Sequence, residues 1–158
     1  MIKKDTKVAV LGAGAMGCLF GGLMAEKGLD VVLIDVWKEH VDAINKNGLK
    51  MDGHGGDRFI KIKATTDPST LKPVDAIIIM CKATALKKAL TSSKNIIGDK
   101  TMLMSFQNGI GHEAIMQEIA GKNKVLGGTT TQASNIVGPG HIKNHGSLPS
   151  WIGEYEGG

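Results

Sequence analysis

The six residues "GAGAMG", Gly12 to Gly17, constrain the fold of this chain more than any other stretch. They close "KVAVLG", a β-rich run that is apolar from Val8 to Leu11, as a strand buried on both faces requires. They open "MGCLFGGLMAEKG", where Leu19 and Leu23 stand four apart and Gly28 suits the position after a helix end. In a chain with 22 glycines the pattern G-x-G-x-x-G means little alone. Between a strand and a helix it marks the first turn of a β-α-β unit.

The rest of the chain continues the alternation. "DVVLIDV" (30–36) reads as a second strand, and Val41 and Ile44 share a face of a helix that stops near Gly48. "LKMDGHGGDRFIKIKA" then breaks the pattern with two short strand-like pieces around glycines, Phe59 to Lys63 partly alternating, and reads as an inserted hairpin with His54 in a solvated tip. "DAIIIMCK" (75–82) is the most apolar strand and belongs at the centre of a sheet. A helix from about Ala83 to Lys94, a strand "TMLMSF", a helix with Ile115 and Ile119 on one face, and a strand "KVLGGTTTQAS" follow. The last segment is turn-rich, with short strands that look antiparallel. Alternating strands and helices imply right-handed crossovers and a parallel sheet. The expected class is α/β: a Rossmann-like, doubly wound, mostly parallel sheet with antiparallel edge strands, in one domain spanning 1–158.

In such a fold Gly12 permits the tight turn, Gly14 lets the backbone approach a pyrophosphate, and Gly17 lets the helix pack close to the sheet. The helix N-terminus through Ala13, Ala15 and Met16 adds free N–H groups and partial positive charge. A purely structural glycine turn is the alternative. Asp35 ends the second strand, where a carboxylate accepts hydrogen bonds from ribose hydroxyls and repels a 2′-phosphate, favouring NAD over NADP. Lys38 is the nearest cation that offsets this repulsion, and Asp35 also suits a helix cap. Lys82 ends the apolar strand at the carboxyl edge of the sheet, where open α/β sheets bind ligands; a lysine snorkelling at a strand end is the simpler account.

The chain's composition narrows the partners. The net charge of +4 comes from 19 basic and 15 acidic residues spread along the chain, its densest pairs, Lys3-Lys4 and Lys87-Lys88, isolated, and six aromatic Phe, Trp and Tyr residues leave little for bases to stack on. Nucleic acid is therefore not an expected partner. Cys18 and Cys81 lie in apolar segments without metal-ligand spacing and read as small buried hydrophobes in a reducing compartment. His112 reads as a first-turn or capping residue. His141 and His145 lack a third ligand, so no metal site is expected. The chain enters its first strand without a hydrophobic leader, and no run approaches transmembrane length, so a cytoplasmic protein that does not engage membranes is expected.

"SFQNGIG" (105–111) ends an apolar run with two amides and two glycines. Asn-Gly is a strong hairpin signal, but the helix beginning near His112 makes this a strand-to-helix loop at the carboxyl edge of the sheet, beside Lys82.

Four pieces in order, "GAGAMG", "KATALKKAL", "QNGIGHEAI" and "GGTTTQASNIVGPGHIKNHG", resemble the N-terminal domain of the ketopantoate reductases (2-dehydropantoate 2-reductases) across essentially the whole chain. The resemblance implies hydride transfer from NAD(P)H to the keto group of 2-dehydropantoate in pantothenate biosynthesis. It implies a cofactor contact for Lys82, a cofactor and substrate contact for Asn108, and a place for Ser134 against the nicotinamide end. It also implies NADP, and often an arginine after the second strand, where this chain has Asp35-Val36. The family's proton-donating lysine and most substrate contacts lie in a helical C-terminal domain, so no catalytic residue is expected in this chain. These residues then read as the cofactor half of a larger reductase, binding a nicotinamide dinucleotide but barely turning over a 2-keto acid alone. Another NAD-dependent hydroxyacid or polyol-phosphate dehydrogenase, or a dinucleotide sensor without chemistry, shares the first half of the pattern. The oligomeric state is left open, a homodimer included.

Overall fold

The computed structural model describes residues 5–121 and 124–155, so Lys3-Lys4 and the two ends of the 1–158 span lie outside the described residues. The first half runs β1 (Lys7–Leu11), α1 (Ala15–Glu26), β2 (Asp30–Ile34), α2 (Lys38–Asn47), β3 (Leu49–Gly53), β4 (Arg58–Ile60) and β5 (Lys63–Thr65). It continues with β6 (Val74–Ile79), α3 (Leu86–Ser92), β7 (Ile97–Ser105), α4 (His112–Ala120), β8 (Val125–Thr130), β9 (Ser134–Gly138), β10 (His141–Asn144) and β11 (Ser150–Glu154).

Seven strands form one sheet in the order β11-β8-β7-β6-β1-β2-β5. All its pairs are parallel except β11 on β8. The apolar "DAIIIMCK" run supplies the middle strand β6, with Ile77 and Ile79 fully buried. Burying each such side chain contributes about 1.5–3 kcal/mol. The chain winds outward from β1 through β2 to β5, then returns to β6 on β1's other side. The strand order therefore reverses between β1 and β6, and the crevice beyond their carboxyl ends is where an open α/β sheet receives ligands.

The two faces are covered differently. Ala9, Leu11, Ile77, Ile79 and Leu103 pack under Leu86 and Leu90 of α3 and Met116 and Ala120 of α4. On the other face Val8, Val10 and Leu33 meet α1 and α2 through Leu19, Val41 and Ile44. α1 carries a second layer. A four-stranded sheet, β4-β3-β10-β9, packs against it, so this helix is enclosed between two sheets. The pair Gly21-Gly22 makes that possible: a Cβ on Gly21 would lie 2.5 Å from Leu33 Cδ2, and one on Gly22 would lie 2.9 Å from Met51 Cε. A glycine pair inside a helix weakens it by roughly 1 kcal/mol per residue, and here it admits close packing on both sides.

Several expectations are refined. β3 and β4 form the hairpin, but β3 also pairs in parallel with β10, so the terminal segment builds a second sheet as well as the antiparallel edge strand β11. Ile60 and Ile62 both point inward as the alternation implied, yet the stretch splits: β4 stays in the small sheet and β5 joins the edge of the large one. The helix after β6 is shorter than 83–94, because 3-10 turns at Ala83–Ala85 and Lys94–Ile96 flank α3. On α4 the fully inward face is His112, Met116 and Ala120, with Ile115 and Ile119 at its margin. Among the described residues no helix is long and apolar enough to cross a membrane.

Candidate functional site

The glycine loop is built by backbone contacts that only glycine permits. Gly12 has φ +100°, and a Cβ there would lie 2.4 Å from the Cys81 nitrogen, because the loop sits directly on the chain leaving β6. Gly12 N–H donates to Ile34 O at 2.8 Å, and Cys81 N–H donates to Leu11 O at 2.9 Å, locking the carboxyl ends of β1, β2 and β6 together. A Cβ on Gly17 would lie 1.9 Å from Gly12 O, so the first helical turn folds back onto its own loop. Gly14 differs. It is exposed, and a Cβ there would meet nothing within 4 Å. It caps the N-terminus of α1 without a side-chain partner, and the first N–H groups of a helix have no intrahelical acceptor.

Asp35 stands immediately after β2 and is half-buried. Its Oδ2 accepts the Ala13 N–H at 2.7 Å, and its Oδ1 accepts the Trp37 N–H at 3.0 Å. It therefore steadies both the glycine loop and the entry to α2, whose N-cap residue is Trp37. A carboxylate has about four lone-pair positions, so acceptor capacity remains. Beside it a hollow of about 140 Å³ runs between Asp35-Val36, Thr66-Pro68 and the Ala85-Ala89 face of α3. Lys38, the cation expected to offset Asp35, is held instead by Asp42 at 2.5 Å, one turn along α2.

On the other side of the loop, Met16, Met80, Lys82, Phe106, Gln107 and Asn108 line a cleft of about 320 Å³. Lys82 and Asn108 are exposed at its rim, while Met16 and Phe106 supply apolar wall. Phe106 lies over Gly128, where a Cβ would be 2.6 Å from its ring, and meets Phe20 with ring centroids 4.9 Å apart. Gln107 ties this cleft together: its Nε2 donates to Cys81 O at 2.5 Å, and its backbone N–H donates to Ser105 Oγ at 3.2 Å. The loop carrying Asn108 is thus fastened to the loop carrying Lys82. His112 opens α4, buried, and its Nε2–H donates to the Asn108 carbonyl at 2.9 Å.

The structure brings Gly12, Ala13, Gly14, Ala15, Met16, Gly17, Asp35, Lys82 and Asn108 to one edge of the large sheet. It does not bring Ser134 into the same cleft lining. Ser134 begins β9 in the small sheet, opposite Asn144, and its Oγ is buried without a protein partner. Gln107 and Phe106 were within reach of sequence reasoning, since they flank the Asn-Gly signal, but their roles depend on contacts with Cys81 and Gly128. Cys18 is more than a small buried hydrophobe: its Sγ–H donates to Ala13 O at 3.1 Å. Burial, with Asp35 adding to it, pushes its thiol up to about 12. Burial also pushes the Cys81 thiol up. His141 pairs with Asp52 at 2.6 Å and His145 with Asn135 at 2.5 Å, so these two histidines turn to different partners.

The family model described as ketopantoate reductase PanE/ApbA matches residues 8–157. A 2-dehydropantoate 2-reductase of Pyrococcus abyssi is 43% identical over 152 residues, which are 96% of this chain and 49% of that protein. One from Streptococcus pyogenes serotype M1 is 34% identical over 143 residues, 89% of this chain and 46% of the relative. The chain spans about half the length of the curated relatives it matches. Among solved structures, a 2-dehydropantoate 2-reductase from Geobacter metallireducens superposes with TM-score 0.88 at 27% identity, covering 95% of this chain and 50% of that one. A D-mandelate dehydrogenase in ternary complex with NADH and anilino(oxo)acetate superposes with TM-score 0.86 at 34% identity, covering 93% and 47%.

Proposed function

The chain belongs to the ketopantoate reductase family, and from that premise we propose that it is the cofactor-binding half of an oxidoreductase reducing 2-dehydropantoate to pantoate with NAD(P)H. The observation that carries the reading is the bare backbone at Gly14, beside the Asp35 carboxylate and at the point where strand order reverses. A side chain at that position would fill the space a pyrophosphate needs, and the structure leaves it open.

In this reading the N–H groups from Gly14 to Met16 hold the pyrophosphate, with the positive end of α1 behind them. Asp35 accepts from the adenosine ribose, and the hollow between Val36, Thr66 and Ala85 receives the adenine. The cleft of Met16, Phe106, Lys82 and Asn108 would hold the nicotinamide, its apolar walls excluding water from one face. The chemistry such a dinucleotide would supply there, when bound, is hydride transfer to the keto carbon. Lys82 offers a cation at the cleft rim, and Asn108 offers both a donor and an acceptor to ribose or substrate. By the resemblance to the family, the proton for the reduced oxygen would come from a lysine of a helical substrate domain rather than from this cleft.

Two features favour NAD(H) over NADP(H). Asp35 would repel a 2′-phosphate, and Lys38 turns towards Asp42 in an exposed pair rather than towards Asp35. A second reading rests on the likeness to D-mandelate dehydrogenase with NADH: the substrate is then another 2-keto acid, reduced in the same cleft. Titrating the chain with NADH and NADPH, then assaying 2-dehydropantoate, tests the proposal. Saturable NADH binding with negligible turnover is expected. Robust steady-state reduction by the chain alone would contradict the division of labour, and absence of binding at millimolar concentration would contradict the cofactor assignment.

A further inference from the structure

Beneath the glycine loop lies a chain of buried polar groups that the proposed function does not use. Gly140 N–H, in the turn between β9 and β10, donates to His40 Nδ1 at 3.0 Å. His40 is wholly buried in α2, with Trp37 stacked on its ring at 4.8 Å and 12°. Its Nε2 lies 3.3 Å from Cys18 Sγ, and Cys18 in turn bonds Ala13 O at 3.1 Å. The direction of this chain is fixed. A backbone N–H can only donate, so Nδ1 accepts and the ring proton of neutral His40 sits on Nε2, facing Cys18. A carbonyl can only accept, so the Cys18 thiol hydrogen points to Ala13. Four residues on four segments thus run Gly140 to His40 to Cys18 to Ala13, every link donating forward.

The consequence falls on the next peptide bond. The Ala13–Gly14 peptide is planar and trans, so its C=O and N–H point in opposite directions. With Ala13 O held inward by the Cys18 thiol, Gly14 N–H is turned outward, to the exposed face of the loop. On the other side, Ala13 N–H is held by Asp35. Ala13 is thus held through both its N–H and its C=O, one on each of the peptides that flank it, before any ligand arrives.

We propose that His40 and Cys18 are positioning residues for dinucleotide binding, which orient the Ala13–Gly14 peptide so that Gly14 N–H meets the pyrophosphate and couple that donor to the packing of the small sheet. This rests on the reading of the loop as a pyrophosphate cradle. Gly140 is the joint of the coupling: its φ is +69°, and a Cβ there would lie 3.0 Å from Ala43 Cβ, so the β9–β10 turn is pressed against α2. His40 has no charged partner along the relay itself; Cys18 faces it from α1, the Ala13 carbonyl lies within reach of its ring from the glycine loop, Asp35 acts on it from the end of β2, and the small sheet presents only the Gly140 backbone.

The test compares ADP, which carries the diphosphate, with adenosine, which does not, by calorimetric titration of the wild-type chain and of Cys18→Ala, Cys18→Ser and His40→Ala. Cys18→Ala should weaken ADP binding about fivefold, the worth of one modest hydrogen bond, and leave adenosine unchanged. Cys18→Ser retains an O–H donor and should restore ADP binding to within about twofold. In the unliganded protein the Gly14 amide resonance should shift in Cys18→Ala and return in Cys18→Ser. Wild-type ADP affinity in both alanine variants, or equal loss of ADP and adenosine, would overturn the proposal while leaving the cradle intact. Should His40→Ala fail to fold, the two Cys18 variants decide alone. A wild-type chain that binds neither NADH nor ADP would overturn the cradle, and the positioning role with it.

Discussion

Asp35 Oδ2 accepts the backbone N–H of Ala13 at 2.7 Å, joining the end of β2 to the middle of the glycine loop across 22 residues of sequence. The carboxylate expected to select the cofactor is therefore also a structural part of the glycine loop. Under the proposed function, the group that would read the ribose also holds the loop, which would preorganise the site for one cofactor.

Asp35→Ala consequently has two effects. NADH affinity should fall by roughly tenfold or more, since hydrogen bonds to a charged acceptor contribute about 1.5–3 kcal/mol. The ratio of NADPH to NADH affinity should rise, because the repulsion of a 2′-phosphate is gone. Parallel titrations with both cofactors check this, and an unchanged ratio would remove Asp35 from ribose recognition.

Gly17→Ala is expected to act on stability. Its Cβ would lie 1.9 Å from Gly12 O, a backbone atom that cannot turn aside. Overpacking of this kind costs about 3 kcal/mol, or about 6–12 °C in Tm for a chain of this size. Calorimetry gives the answer directly.

Gln107 makes a sharper distinction. Gln107→Glu keeps the shape but loses the donor to Cys81 O, so it should destabilise the chain by about 1–2 kcal/mol and weaken NADH binding, because Lys82 and Asn108 are no longer fastened together. Denaturant titration alongside NADH binding measures both. Gln107→Glu behaving as wild type in both would show the contact to be idle.

The relay also predicts a pH dependence. Burial holds His40 below its ordinary value of 6.5, although Asp35 and the Ala13 carbonyl oppose the shift. The unfolded chain then binds a proton that the folded chain resists, so the stability that neutral His40 contributes is present above pH 6.5 and is lost as pH falls below it toward the folded value. Cys18 acts at the other end. Its folded value is raised from 9.0 to about 12, so folded protein keeps a proton that the unfolded chain releases, and stability falls as pH rises from 9 toward 12. Urea midpoints across pH 5–7.5 should slope downward on acidification in the wild type, and less so in a His40→Gln variant.

Which parts of this were legible beforehand follows from how local their causes are. The β1-loop-α1 unit is written in adjacent residues, and Gly12 and Gly17 each have a spacing that names a structural role. The Asn108-Gly109 turn was resolved by one nearby fact, the helix that follows it. The small sheet was not legible, because β3 pairs with β10 across some 90 residues of sequence, and hydrophobic period carries no information about which strand a strand will meet. Its one local trace was Gly21-Gly22, a costly pair in a helix that the second sheet explains. On α4 the period was right, and Ile115 and Ile119 share a face that packs against the core, while the deepest positions are His112, Met116 and Ala120. Cys18 read as apolar because its neighbours are; its acceptor, Ala13, is a backbone carbonyl that no composition reveals.

The most direct measurement concerns Gly14, a glycine that neither a close contact nor a positive φ requires. A Cβ there meets no atom within 4 Å, so Gly14→Val should leave Tm within about 2–4 °C of the wild type while blocking the pyrophosphate. Titrated side by side, the wild-type chain should bind NADH saturably below millimolar concentration and more tightly than NADPH, and Gly14→Val should bind neither. Undiminished NADH binding by a stably folded Gly14→Val chain would contradict the account.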